Sequence, residues 1–173
     1  MLVHTIEDVD RYVAQIRKSA ISAQDWIRAQ TCGPFDLLRR MKFDPVGFDP
    51  IEGHALNIIE QINQTWTALV ALDAARQLLS LHPDAGGYRL EPGAHASIPL
   101  DVMSVVPDLV GAETFATVDY RNNRKLQTDL NKMAVRNERH RYVFFMSPDF
   151  PKTERLVDLE RDGVQVWSVE VNI

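Results

Sequence analysis

Two acidic residues, Asp101 and Glu113, carry the clearest chemical pattern in this sequence. Each lies in a segment of strand-like composition, and Pro107-Asp108 between the segments is typical of a tight turn. If the turn centres on Pro107, each acid lies six residues from it. The two would then face each other across an antiparallel pair, with Cβ atoms about 4.5–5.5 Å apart. Paired carboxylates repel unless a cation joins them or one holds a proton, so the pair predicts a divalent-cation site.

This interpretation depends on the turn, because a shift of one residue would place the two carboxylates on opposite faces of the sheet. The alternative is a pair of strand acids that simply face solvent. Hard cations such as Mg²⁺ accept one or two carboxylates and complete their shell with water and phosphate oxygens. The predicted cofactor is therefore Mg²⁺ or Mn²⁺, and a metal in such a site would act on a phosphoryl group.

Residues 121–141 form a basic segment directly after the strand that carries Glu113. The segment contains seven Arg and Lys residues against two acids, a local charge of +5 in a chain whose net charge is −5. Such a segment attracts phosphates locally and predicts a nucleic-acid partner. A solvated helix face that balances acids elsewhere in the fold is the alternative explanation.

The start of a helix is predicted within this basic segment. Asn122 and Asn123 are typical N-cap residues, and Arg124 and Lys125 follow them. Because the free N–H groups of a helix N-terminus favour an anion, we expect Asn123, Arg124 and Lys125 to bind phosphate. The alternative is a helix cap that needs no ligand.

Hydrophobic periodicity predicts the elements that position these residues. Residues 31–53 are rich in Pro and Gly and are predicted to form a long connection or a lid. We expect an α/β fold in which helices flank a mixed sheet of four or five strands. Helices are predicted from Thr5 to about Ser19, around Trp26, over 54–81, after Asn123 and over 151–162, and strands over 88–90, 97–103, 109–118, 141–146 and 164–171.

Length and composition narrow the class of protein. The 173 residues fit one compact domain, which we divide into an N-terminal helical extension with its Pro/Gly-rich connection (1–50) and an α/β core (51–173). We expect a cytoplasmic protein without a membrane partner, because no apolar stretch approaches about 18 residues and Cys32 is the single cysteine. Gly-rich nucleotide loops and zinc-ligand spacings are absent from the sequence. The amphipathic N-terminal helix is a candidate for pairing between subunits.

The element order resembles the restriction-endonuclease-like fold of the PD-(D/E)xK nuclease superfamily over residues 54–147. A long helix bearing Glu60 precedes strands that carry Asp101 and Glu113, and a helix and a strand follow. The resemblance implies a Mg²⁺-dependent, nuclease-like domain with Asp101 and Glu113 as metal ligands and Glu60 as an auxiliary acid. Pro107-Asp108 matches the family's dipeptide literally, but it lies in the predicted turn, so Asp101 is the preferred ligand.

The family pattern places a lysine two residues after the second acid, where this chain has Phe115. Some members carry the base on the following helix, so the resemblance implies Lys125 or Arg124 in that role, with Lys125 as the catalytic base. The alternative is a catalytically inactive relative that keeps the fold to bind nucleic acid or a protein. A third hypothesis is an oligomeric structural protein whose N-terminal helices pair.

Overall fold

The computed structural model describes residues 1–92 and 98–171, and four α-helices and nine β-strands form in this part of the chain. The helices are α1 (Ile6–Arg28), α2 (Pro34–Phe43), α3 (Ile58–Leu81) and α4 (Lys125–Ala134). The strands are β1 (Leu2–Val3), β2 (Gly47–Phe48), β3 (Ala55–Leu56), β4 (Tyr88–Leu90), β5 (Val102–Ser104), β6 (Val110–Ala116), β7 (His140–Met146), β8 (Glu154–Arg155) and β9 (Val164–Ser168). Short 3₁₀ turns lie at Pro83–Ala85, Asn122–Arg124 and Val157–Leu159.

A mixed sheet of seven strands forms the centre of the fold, in the order β1-β4-β5-β6-β7-β9-β8. β6 pairs with β7 and β7 with β9 in parallel orientation. The other pairings of this sheet are antiparallel. The predicted α/β class, with helices flanking a mixed sheet, is confirmed. The prediction of four or five strands is wrong, because β1 and β8, each two residues long, extend both edges.

Helices cover both faces of the sheet. On one face α1 and α3 pack against the strands, and the buried side chains there include Val9, Leu72, Leu78, Val102, Ala112 and Phe144. On the other face α4 is the one α-helix among the described residues, with Leu126, Leu130 and Met133 against Phe115, Val143 and Phe145. Because successive side chains of a strand alternate between faces, Glu113 and Phe115 share the α4 side.

The β5–β6 hairpin has the predicted register. Val102 pairs with Ala112 and Met103 with Gly111, which centres the connection on Pro107. Asp108 follows in the left-handed region with φ 56°, a conformation that Asp tolerates in turns. The Pro107-Asp108 dipeptide therefore lies in the turn, at the end of the hairpin remote from Asp101. The predicted strand start at Ser97 lies outside the described residues, and β5 begins at Val102.

Several element boundaries differ from the sequence prediction. The N-terminal helix does not stop near Ser19 but continues to Arg28 and includes Trp26, because no Gly or Pro interrupts the chain before Gly33. The connection over 31–53 contains α2, since Pro34 is compatible with a first helical turn.

The predicted helix over 151–162 is wrong. Its residues form β8 and the short 3₁₀ turn instead, because the backbone there pairs with β9 and Arg155 forms an ion pair with Glu160 at 2.6 Å.

The first 28 residues pack directly on the α/β core. β1 pairs with β4 at one edge of the sheet, and Val9 and Ile16 of α1 are buried against α3. Thr5, the predicted start of this helix, is its N-cap and forms a reciprocal capping box with Asp8. Among the helices of the described residues, none is long and apolar enough to cross a membrane.

Gly87 is the position where we expect the fold to tolerate a side chain least. It lies at φ 101°, and a Cβ there would approach Val3 O and His4 Nδ1 to 2.6 Å each. Replacing Gly87 by Ala should lower the free energy of unfolding by about 2 kcal/mol, because both the backbone angle and the β1–β4 contact oppose it. Urea denaturation followed by circular dichroism measures this change.

Gly33→Ser is the matched control, because nothing lies within 4 Å of a Cβ at Gly33 and serine is a favoured N-cap for α2. Equal stability of Gly87→Ala and the wild type would contradict the expected clash.

Candidate functional site

Asp101 and Glu113 lie within electrostatic reach of each other at the open end of the β5–β6 hairpin. The ladder pairs Val102 with Ala112, and Asp101 and Glu113 are the residues that follow at this end, so the hairpin has the register on which the predicted pair depends. Asp101 Oδ2 accepts hydrogen bonds from Thr114 N at 2.7 Å and Thr114 Oγ1 at 3.1 Å. These bonds hold the Asp101 carboxylate against β6. Glu113 is 3% exposed and faces α4.

Three residues of α4 complete the group. Lys125, Asp129 and Lys132 follow one another at intervals of four and three residues, so they share one stripe of the helix. Lys132 Nζ donates to Glu113 Oε1 at 2.7 Å, and Lys125 Nζ donates to Asp129 Oδ1 at 2.6 Å. We call Asp101, Glu113, Lys125, Asp129 and Lys132 the acid–lysine cluster.

Glu113 and Asp129 are buried, Asp101 is partly buried, and the lysines of the cluster lie at its exposed rim. Asp129 is 1% exposed, whereas the side chains of Lys125 and Lys132 are 44% and 46% exposed. A ligand that approaches from solvent therefore meets two ammonium groups first and carboxylates behind them. This order of charges suits an anion bound together with a cation.

Burial changes the acidity of two cluster members. It raises the pKa of Glu113, which the charges of Asp101 and Asp129 raise further, against the hydrogen bond from Lys132. It also raises the pKa of Asp129, against the hydrogen bond and charge of Lys125. Ionisation of either carboxylate is therefore opposed by desolvation. Buried acids with perturbed pKa values are typical of functional sites.

Asp129 has one oxygen that the surrounding protein does not use. Its Oδ2 atom is buried and has no hydrogen-bond partner among the described residues. A buried carboxylate oxygen without a partner is costly, and native structures usually satisfy such an atom with water or an ion. The cluster therefore contains a buried acceptor that no described residue satisfies.

Phe115 occupies the position two residues after Glu113, where the resemblance implies a lysine. Its ring stacks on Phe145 at 5.3 Å between centroids, within the apolar layer beneath α4. Lys125 Nζ lies 5.9 Å from the centroid of the Phe115 ring, at the outer limit of a cation–π contact. Phe115 of β6 therefore has the ammonium group of Lys125, a residue of α4, beside its ring.

The predicted N-cap at Asn122 and Asn123 is wrong. These residues belong to a 3₁₀ turn, and Arg124 is the N-cap of α4 without a side-chain capping bond. Asn123 and Arg124 both adopt left-handed angles, with φ 56° and 53°, which redirect the chain onto the helix. Asn123 and Arg124 are exposed, while Lys125 is committed to Asp129, so the predicted phosphate-binding trio does not act as one unit.

Glu60 is not brought to the cluster. It lies exposed in the first turn of α3, where its backbone N–H donates to Asn57 Oδ1 at 2.8 Å. Because α3 packs on the face of the sheet opposite α4, the sheet separates Glu60 from Glu113. The interpretation of Glu60 as an auxiliary metal acid therefore has no geometric support.

Most cations of the basic segment 121–141 already have partners. Arg121, Lys125, Lys132 and Arg136 form ion pairs with Asp119, Asp129, Glu113 and Glu138 respectively. Arg141 donates to the carbonyl oxygens of Ala134 and Asp162. Arg124 and Arg139 remain exposed cations of this segment. Its attraction for phosphate is thus weaker than the sequence charge indicates.

Sequence reasoning missed Asp129 and Lys132. The signal was present, since the polar residues Lys125, Asp129 and Lys132 have the same spacing as the apolar stripe Leu126, Leu130 and Met133, and each comes one residue before its apolar counterpart. The apolar stripe must face the sheet, so the polar stripe had to border the same face. What the sequence did not show was that Glu113 lies within reach of that border.

The cluster meets some requirements of a metal site and lacks others. Within residues 1–92 and 98–171, no three His, Cys, Asp or Glu side chains come close enough together to hold a metal ion. Asp101 and Glu113 nevertheless offer opposed carboxylates, the ligands that Mg²⁺ prefers, and water or phosphate can supply its other positions. The pair fits Mg²⁺ shared with a phosphate ligand, and it does not fit a metal held by protein groups alone.

Asp129→Asn tests the burial of charge at the cluster. Burial raises the pKa of Asp129, so the folded state holds the proton of this carboxyl more tightly than the unfolded state does. The protonated Asp129 therefore stabilises the fold at acid pH, and this stabilisation is lost as the pH rises through the pKa that Asp129 has in the folded protein. The free energy of unfolding of the wild type should therefore fall relative to that of Asp129→Asn between acid and neutral pH. Urea unfolding at a series of pH values measures it, with the exposed Asp158→Asn as control. A difference that stays constant with pH would contradict the expectation.

Comparison of the chain with protein-family models, curated proteins and solved structures gives no match. The carboxylates of Asp101 and Glu113, with the lysines of α4 above them, form the candidate functional site.

Proposed function

We propose that this protein is a divalent-metal-dependent, nuclease-like domain that acts on phosphodiesters at the acid–lysine cluster. The observation that carries the proposal is the register of the β5–β6 hairpin, which sets Asp101 opposite Glu113 beneath two lysines of α4. The αβββαβ order of α3 through β7 supports a restriction-endonuclease-like core of the PD-(D/E)xK type.

Asp101 and Glu113 would hold Mg²⁺ or Mn²⁺ together with oxygens of the substrate phosphate. The metal would supply Lewis-acid polarisation of the phosphoryl oxygen and a more acidic bound water. Asp101 is already oriented by its two hydrogen bonds from Thr114, so its carboxylate would not need to reorganise. Glu113 lies in a largely dry environment, where its charge acts strongly on a nearby cation.

Lys125 is the group that we propose to orient the phosphate or the attacking water. It takes the place of the lysine that Phe115 replaces, because its ammonium lies beside the Phe115 ring while Asp129 fixes it from below. Placing the base on the helix rather than on the strand keeps it on the same face as Glu113. Its partly exposed side chain leaves access for a substrate.

Nucleic acid is the substrate class that we propose. Arg124 and Arg139 are exposed cations beside the two ends of α4, so they are available to the backbone of a polyanion that crosses the cluster. The overall charge of −5 argues for binding limited to this face rather than for coating of the whole surface.

A catalytically inactive binding module is the second candidate. Two observations favour it: Phe115 stands where the family pattern has a lysine, and the Glu113 carboxylate is already paired with Lys132. Such a module would use the same face to bind nucleic acid or a protein partner without cleaving it. The two candidates differ in what Glu113→Gln does.

Cleavage assays on single-stranded DNA, double-stranded DNA and RNA with Mg²⁺ or Mn²⁺ test the proposal. We expect metal-dependent cleavage that falls about 100-fold or more in Glu113→Gln and in Asp101→Asn, because both remove a charge that holds the metal. The matched control is the exposed Glu170→Gln, which should cleave like the wild type. Binding without cleavage by the wild type would instead favour the inactive module.

We also propose that a second copy of the chain covers α2. This helix buries none of its residues, and Phe35, Leu38 and Phe43 are 87%, 60% and 72% exposed. An apolar groove between α1 and α3, lined in part by Ala23, Ile27 and Ile62, lies in the same helical region. Apolar side chains at this spacing are typical of a helix that binds a groove.

Light scattering after size-exclusion chromatography tests this association. The wild type should be a dimer that dissociates on dilution, and the double substitution Phe35→Ser, Leu38→Ser should be a monomer. Val118→Ser, at another residue that is 80% exposed, is the control and should leave the dimer intact. A wild type that stays monomeric at high concentration would contradict the proposal.

A further inference from the structure

Lys132 places a cation on one of the two carboxylates that would hold the metal. Its Nζ atom lies 2.7 Å from Glu113 Oε1, while the rest of its side chain is about half exposed. Paired carboxylates need a nearby positive charge, and the structure supplies one from the protein itself. A divalent ion that approaches Glu113 must therefore compete with this ammonium group.

The second lysine is held differently. Lys125 is bonded to the buried Asp129 and lies beside the Phe115 ring, so two neighbours fix its position. Lys132 has Glu113 as its hydrogen-bond partner and a flexible four-carbon chain that reaches solvent. Of the two lysines, Lys132 is the one that can leave its carboxylate without also breaking a cation–π contact.

A second observation, independent of Lys132, also concerns a buried carboxylate of the cluster. Asp129 Oδ2 is fully buried and has no hydrogen-bond partner among the described residues. Asp129 lies within electrostatic reach of Asp101 and Lys132. Three carboxylates thus share two ammonium groups, and one buried acceptor still lacks a donor or a cation.

We propose that Lys132 is a resident counter-ion that occupies the cation position on Glu113 and is drawn away when a phosphate group binds. The inference rests on the proposed function in that it takes Asp101 and Glu113 as the metal-holding pair. The inference adds a mode of regulation for that site, in which bound phosphate strengthens the binding of the metal. Each alone binds weakly, because the metal displaces an ammonium and the phosphate faces buried acids.

The physical argument is an exchange of ion pairs. Without phosphate, moving Lys132 into water leaves its charge less well paired, so the ammonium opposes the entry of the metal. With phosphate present, Lys132 gains a new anionic partner at the exposed rim, and Glu113 is released to the metal. No protein group other than this flexible side chain has to move.

Calorimetric titration of Mg²⁺ into the folded protein tests the inference. Lys132→Gln should bind Mg²⁺ about ten-fold more tightly than the wild type, because the competing ammonium is gone. Inorganic phosphate should tighten Mg²⁺ binding to the wild type and have less effect on Lys132→Gln. Asp101→Ala in the Lys132→Gln background should abolish the gain, which locates the ion at this hairpin.

Two variants serve as controls. Lys132→Arg keeps a cation next to Glu113 and should bind Mg²⁺ like the wild type. Lys18→Gln removes an exposed lysine of α1, away from the cluster, and it should not produce the ten-fold gain. Circular dichroism verifies that each variant is folded, and glutamine is compatible with an exposed helical position.

Equal or weaker Mg²⁺ binding by Lys132→Gln, or no binding by any variant, would overturn the inference. The outcome is separable from that of the cleavage assay. If Lys132→Gln gains affinity and no nucleic acid is cleaved, the nuclease proposal fails and the counter-ion role stands. If the wild type cleaves and Lys132→Gln shows no gain, the counter-ion role fails and the nuclease proposal stands.

Discussion

The register of the β5–β6 hairpin decides which side chains of the sheet meet α4. Side chains alternate along a strand, so a slip of one residue would turn Glu113 toward α3 and bring Ala112 to the α4 face. Lys132 would then have no buried carboxylate to bond, and Asp101 would lose its position across from Glu113. The turn at Pro107 and Asp108 fixes this register, and the candidate site therefore depends on a turn that lies at the far end of the hairpin.

The parallel crossover from β6 through α4 to β7 gives the second constraint. It returns the chain over one face of the sheet, so α4 must lay its apolar stripe on Phe115, Val143 and Phe145. The neighbouring stripe of Lys125, Asp129 and Lys132 is thereby placed at the border between core and solvent. Charged groups at such a border are partly desolvated, and their interactions are stronger there than on an open surface.

The cluster is not arranged for stability alone. Burial disfavours the charged forms of Glu113 and Asp129, and one oxygen of Asp129 has no partner among the described residues. Apolar residues of similar volume would fill the same space beneath α4 without this cost. Keeping three acids and two lysines in one place lowers the free energy of unfolding relative to an apolar core. Such a loss of folding stability is common at ligand sites.

Local patterns in the sequence determined the long helix α3, the strand β7 and the Asp101–Glu113 pair, because periodicity and turn chemistry act over a few residues. They did not determine the edge strands β1 and β8, since two-residue strands exist only through pairing with β4 and β9. The short segment 151–162 was misassigned for the same reason. The contact of Lys132 with Glu113 joins residues 19 positions apart, and only the packing of α4 on the sheet decided it. Tertiary structure likewise separated Glu60 from the acids, because the sheet itself lies between α3 and α4.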